Sequence, residues 1–198
     1  MRKPARARIL DAAHELMLGI GLARTTTKEI ARAAECSEAA LYKSFTSKEE
    51  LFIAVLDERL PRLGPLLGEL TARPGEGDLE ENLTEVARRA ARFYAQTFPI
   101  AASLYADPGL KARHETALRA LGTGPHKPIQ WLDGYLRAER EAGRVAAGAD
   151  TYAAASLLLG ACAHRAFAYD ESEGGTPAPP LDAFAEGIAR TLLAGLRP

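Results

Sequence analysis

Cysteine is scarce in this sequence: Cys36 and Cys162 are the only two, accompanied by a single tryptophan and two methionines. Two cysteines so far apart exclude a disulfide scaffold and a four-ligand zinc site, and they suit a reducing cytoplasm. Uninterrupted apolar runs are missing as well, and none approaches the roughly 18 residues that a membrane-spanning helix requires. The start Met1-Arg2-Lys3-Pro4 is basic but leads into an amphipathic segment, not the apolar core of a signal peptide. The four histidines, His14, His114, His126 and His164, form no i, i+4 pair and have no cysteine or aspartate cluster beside them. No metal and no cofactor is therefore expected. A nucleophile elbow, a phosphate-cradling glycine loop and a carboxylate pair in an apolar setting are absent too, so no enzyme chemistry is expected.

Apolar residues make up 47% and charged residues 26% of the 198. A chain of that size and composition buries a substantial core without staples. The formal net charge of −1, taken whole, argues against nucleic acid as a partner. Its distribution argues the other way. Residues 1–48 carry nine Lys/Arg against five Asp/Glu, a balance of +4, and residues 49–198 carry sixteen against twenty-one, a balance of −5. A basic head precedes an acidic body.

Alanine, leucine, glutamate and arginine dominate, β-branched residues are sparse, and apolar positions recur at three and four residues, so the fold is expected to be all-α. Ile9, Ala13, Leu16, Met17 and Ile20 form the stripe of a first helix that Gly21 stops. Thr26 and Glu29 make a capping box for a short helix with Ile30, Ala31 and Ala34 inward. Ser37 caps the next short helix, from Glu38 to about Phe45. A second box, Ser47 to Glu50, opens a longer helix with Leu51, Phe52 and Val55 inward. Pro61 and Pro65 mark a joint within 58–65, and 73–78 reads as a loop. Helical patterns follow at about 79–97, 110–121, 126–142 and 150–169, then a loop over 171–180 and a last amphipathic helix over 181–196. Cys36 and Cys162 read as packing residues.

The sharpest signal is the run from Thr25 to Leu51, TTTKEIARAAECSEAALYKSFTSKEEL. In it Ala31 and Ala34 are small enough for two helices to cross closely, while Ile30 and Leu41 anchor the crossing. This run resembles the helix-turn-helix of the TetR family of bacterial transcriptional regulators, and Ala12-Ala13-His14-Glu15-Leu16-Met17 with Gly21 resembles that family's first helix. The resemblance implies a three-helix DNA-binding head over residues 1–50, including the start of a connecting helix. Residues 51–198 would then be a helical effector-binding and dimerisation body.

A short helix held this way enters the major groove with its N-terminal residues nearest the base edges. Ser37, Glu38, Ala39, Ala40, Tyr42 and Lys43 are its candidate contacts: an alanine suits a thymine methyl, and Glu38 suits the N4 of cytosine. Thr26 and Thr27 at one helix start and Lys48 at another suit phosphates, and the resemblance implies Tyr42 and Lys48 as DNA-backbone contacts. Arg2, Lys3, Arg6 and Arg8 are expected to form a mobile basic arm that adds salt-dependent affinity. Two residues depart from the family pattern. Glu35 stands where glycine is common, so a left-handed backbone there costs roughly 1–2 kcal/mol. Ser44 stands where an aromatic or histidine usually precedes Phe45.

In the body, Phe93, Tyr94, Phe98, Tyr105, Trp131 and Tyr135 fall on successive helices or their ends. Core packing accounts for most such residues, yet buried Tyr and Trp need polar partners, and a cavity between helices supplies both. The resemblance implies an effector pocket here, with Phe93, Phe98, Tyr105, Trp131, Tyr135 and His164 as candidate lining and His114 and Arg165 as further polar candidates. The helix around 151–169 is apolar nearly all round. With Phe184, Ile188, Leu192 and Leu193 of the last helix it is expected to meet a twofold mate.

The expected protein is a cytoplasmic homodimer that binds a double-stranded DNA operator, as a repressor released by a small-molecule effector. The alternative is an all-helical enzyme or small-molecule carrier with a vestigial head, which would bind its ligand without affinity for DNA.

Overall fold

A computed structural model describes residues 3–59, 63–169 and 175–196, apart from the side chain of Ser103. Among these residues there are ten helices and no strand. In chain order they are α1 (Ala5–Ile20), α2 (Thr27–Ala33), α3 (Glu38–Ser44), α4 (Lys48–Glu58), α5 (Leu63–Ala72), α6 (Leu79–Ala106), α7 (Pro108–Ala120), α8 (Lys127–Glu141), α9 (Thr151–Ala168) and α10 (Leu181–Ala194). Arg2 of the expected arm, Pro61 of the expected joint and residues 171–174 of the expected loop lie outside the described residues.

Proline explains where the helices differ from expectation. Pro65 does not keep the chain open but sits in the first turn of α5, where a missing N–H costs nothing. Helix α6 does not stop near residue 97. It runs through Pro99 to Ala106, although proline forfeits the bond that an N–H there would make to the carbonyl of Ala95. Ala91 and Ile100 are both buried, so packed apolar surface on either side of Pro99 holds the helix together. Pro108 opens α7 behind the cap Asp107, whose carboxylate accepts from the Leu110 N–H at 2.9 Å.

By packing, the chain makes two compact units. One comprises residues 1–60 and 96–124, the other residues 61–95 and 125–198. The first unit is built on Ile9, Leu10, Ala13 and Met17 of α1, Ile30 and Ala31 of α2, Leu41 of α3, and Leu51, Phe52 and Val55 of α4. Ile100 of α6 and Leu110 of α7 complete that core. Each fully buried side chain of this kind contributes roughly 1.5–3 kcal/mol of transfer free energy. Ile20 does not share in it: the end of α1 leaves it 39% exposed, and Leu10 and Ala12 widen the buried stripe instead.

The second unit packs α8 against α5 and α9, and α9 against α10, around Leu67, Leu83, Val86, Leu132, Tyr135, Leu136, Leu158 and Leu159. Two polar clusters are built into it. Asp133 accepts from Thr151 Oγ1 and from Arg137, both at 2.6 Å, which ties the start of α9 to α8. Glu139, whose side chain has no exposed surface, receives two bonds from Arg144, a further one from the Gly75 N–H, and contact with the Tyr135 hydroxyl. Burial pushes the Glu139 carboxyl up, but its four donors hold it below the usual carboxylate range.

Candidate nucleic-acid interface

Local bonds shape the head before any packing does. Thr26 and Glu29 close the expected capping box: the Glu29 N–H donates to Thr26 Oγ1 at 3.2 Å, and the Thr26 N–H donates to Glu29 Oε2 at 3.0 Å. Those bonds from Thr26 hold the Glu29 carboxyl below its ordinary value. Ser37 caps α3 by accepting from the Ala40 N–H at 3.1 Å, and Ser47 caps α4 by accepting from Glu50 at 3.0 Å. The second box differs from expectation in its return bond. Glu50 reaches past Ser47 to accept from the backbone N–H and hydroxyl of Thr46.

Between α2 and α3, Glu35 does take the left-handed conformation, with φ at +50°. The Cys36 N–H donates to the Ala31 carbonyl at 2.9 Å and the Glu35 N–H to that of Arg32 at 3.1 Å, the paired bonds that end a helix at a left-handed residue. Arg8 adds a third hold, with its Nε donating to the Ala34 carbonyl at 3.1 Å. This packing absorbs the strain that glycine would avoid, and half-buried Cys36 belongs to it.

Arg8 is thus a structural residue and not part of a mobile arm. The same holds for its neighbours, because α1 already begins at Ala5. Arg6 makes two bonds to the Glu58 carboxylate and lies 5.1 Å from the Phe45 ring centroid, and Lys3 pairs with Asp11 at 2.8 Å. What the sequence presented as loose charge is largely committed to fastening α1 to α2 and α4.

The geometry of α3 separates its two faces cleanly. Leu41 is fully buried, whereas Ser37, Glu38, Ala39, Tyr42 and Lys43 are exposed and Ala40 is half-buried. Helical spacing puts Glu38 above Tyr42 and Ala39 above Lys43 on the outward face. Thr27, at the start of α2, lends its hydroxyl to the Glu38 carboxylate at a long 3.4 Å. Lys48 opens α4 with its amine 5.0 Å from the Phe52 ring centroid, so its stem is packed and its charge is fixed at a helix start. That burial lowers its pKa from the ordinary lysine value.

Residues 9–55, the stretch spanning most of α1 through α4, match the model of the bacterial regulatory proteins of the tetR family. An uncharacterized HTH-type transcriptional regulator of Bacillus subtilis (strain 168), YvkB, is 29% identical over 168 residues, covering 82% of this chain and 84% of YvkB. The chain's first four helices thus match the DNA-binding domain of the TetR family. On these two likenesses the chain is a DNA-binding transcriptional regulator. The fold agrees over nearly the whole length. GusR of Salmonella enterica superposes with a TM-score of 0.68 at 27% identity, covering 97% of this chain and 93% of GusR. FadR of Bacillus subtilis, in complex with stearoyl-CoA, superposes with a TM-score of 0.64 at 19% identity, covering 96% and 98% of the two chains.

The six expected pocket residues fall in both compact units. Phe93, Trp131, Tyr135 and His164 lie in one compact unit, and Phe98 and Tyr105 in the other. Tyr135 is fully buried in the core, its hydroxyl accepting from Asn82 at 3.0 Å, so it serves the fold. Trp131 is 41% exposed and covers Gly64 of α5, where a Cβ would come within 3.3 Å of the indole. Phe93 is half-buried edge-on to Tyr94, Tyr105 is exposed beneath the Lys111 amine, and His164 is exposed near Phe167. Residue type and helix order assign these aromatics to helices, but only contacts distinguish a wall from a core. None of the described helices is long and apolar enough to cross a membrane.

Proposed function

We propose that this regulator is a cytoplasmic homodimer that represses transcription at a twofold-symmetric operator and releases it when a small effector binds. The observation that carries the reading is the outward face of α3. A seven-residue helix, anchored by Leu41 and capped by Ser37, exposes Glu38, Ala39, Tyr42 and Lys43 together. In this reading Glu38, Ala39, Ala40 and Lys43 meet base edges, and Ser37, Tyr42, Thr26, Thr27 and Lys48 meet phosphates.

The body supports the remaining parts. FadR, which shares the fold, holds stearoyl-CoA. In this reading Phe93, Trp131 and His164 of one unit and Phe98 and Tyr105 of the other are effector contacts, and Tyr135 is a core residue. The exposed apolar face of α9, with Leu157 68% and Phe167 70% exposed, is the face that a second copy covers together with α10. An effector releases DNA only by the difference between its affinities for the binding and non-binding states. An enzyme or carrier with an idle head is not favoured, because the head keeps its caps, its close helix crossing and its exposed reading face.

Selection of duplexes from a random pool tests this. The enriched site is expected to be an inverted repeat whose half-site centres lie roughly 34–36 Å apart or a multiple of one helical turn. Enrichment of no duplex, or of a single asymmetric site, would contradict it.

A further inference from the structure

One carboxylate stands in an awkward place. Glu49 follows Lys48 in the first turn of α4, where it competes with phosphate for the lysine amine and repels an approaching DNA backbone. Helix α7 answers it: Arg113 Nε donates to Glu49 Oε1 at 3.1 Å, across 64 residues of sequence. The other cationic candidates nearby are unavailable. His114, next along α7, is only 7% exposed, and burial keeps its imidazole below the ordinary pKa, so it faces Glu49 uncharged near neutral pH. Lys48 itself is held over Phe52. Of the charges that act on Lys48, namely Glu49, Glu29 and Arg113, the arginine is the cation, and its bond offsets Glu49.

We propose that Arg113 of α7 is a positioning residue for DNA binding: by engaging Glu49 it leaves Lys48 to a phosphate. The proposal rests on Lys48 being a phosphate contact, and it extends the DNA-binding machinery to a helix beyond residues 9–55.

The test uses full-length protein and a mixed-sequence duplex of about 40 base pairs at about 50 mM and 150 mM salt, because phosphate contacts need no particular sequence. Arg113→Ala is expected to weaken binding up to about fivefold at the lower salt, with Arg113→Lys recovering most of the loss. Glu49→Gln is expected to bind at least as well as wild type. In the Glu49→Gln background, Arg113→Ala is expected to change affinity by less than about 1.5-fold, the signature of action through Glu49. A loss that persists in full in that background would make Arg113 a direct phosphate contact and overturn the proposal. So would Arg113→Ala binding as wild type while Lys48→Ala binds weakly. Lys48→Ala without effect would instead overturn the reading on which the proposal rests. Thermal melts of each variant separate these outcomes from misfolding, since Arg113 is largely exposed and its loss leaves the core intact.

Discussion

Leu157→Glu is expected to convert the proposed dimer into a monomer and to lower operator affinity by at least about a hundredfold, because two tethered heads exceed one by that order. The reason lies on the outer face of α9. Ala153, Leu157, Gly160, His164 and Phe167 follow one another at helical spacing and are all exposed in the single chain. Gly160 and, on α10, Gly187 have nothing within 4 Å of where a Cβ would stand. Glycine in a helix interior costs about 1 kcal/mol relative to alanine. No neighbour among the described residues requires that cost, whereas the close crossing of a second helix in the proposed dimer would. Across a twofold axis the substitution acts twice, removing two buried leucines and setting two carboxylates in an apolar interface. Each protomer should keep its helicity, since Leu157 lies outside both cores. A dimer that survives in sedimentation at micromolar concentration would place the interface elsewhere.

Arg144→Ala is expected to cost about 3–5 kcal/mol of stability, the usual penalty for leaving a buried carboxylate without its partner. Arg144 supplies two of the bonds to Glu139 and also donates to the Gly77 carbonyl at 2.7 Å, so its loss frees the 73–78 loop as well. For a chain of this size that corresponds to a melting temperature lower by roughly 6–20 °C. Glu139→Gln should cost less, because an amide leaves no buried charge. The pH dependence has a definite sign. The folded Glu139 pKa is depressed, so in wild type its contribution is complete above the unfolded value and is lost as pH falls through the folded one. Without Arg144 the carboxyl is raised instead, and protonation below the unfolded value relieves it. The gap between wild type and Arg144→Ala is therefore expected to narrow as pH falls toward about 4. Parallel melting curves from pH 7 down to that value would show that Glu139 is not the charge involved.

Most of the head was legible because its information is local. A capping box, a serine cap and a leucine between exposed neighbours are statements about residues three or four apart, and α2 and α3 formed as Thr26, Ser37 and Leu41 prescribe. Even the strain at Glu35 was readable from its place after α2. The basic arm was not, because Arg6, Arg8 and Lys3 find their partners at Glu58, the Ala34 carbonyl and Asp11, and two of those three lie far along the chain. The same distance hid Arg113 and Glu49. In the body, helix existence followed from periodicity, but Pro65 and Pro99 concealed α5 and the second half of α6. A proline's effect depends on whether its carbonyl partner lies outside the helix or the flanking turns are buried. The aromatics of the body show the limit most plainly: Tyr135 and Trp131 are four residues apart on α8, yet one is sealed in the core and the other covers Gly64 at the surface.

The acidic body also explains the unpromising net charge. A balance of +4 over residues 1–48 against −5 over the rest concentrates positive charge in the helix-turn-helix region, which under the proposed function favours phosphate attraction there. The central claim, that these heads grip DNA through fixed phosphate contacts, is tested most directly by the salt dependence of affinity for the selected operator. A steep linear fall of log affinity with log salt is predicted, with Lys48→Ala reducing the slope by about 1. An affinity that stays flat between about 50 and 200 mM salt would contradict it.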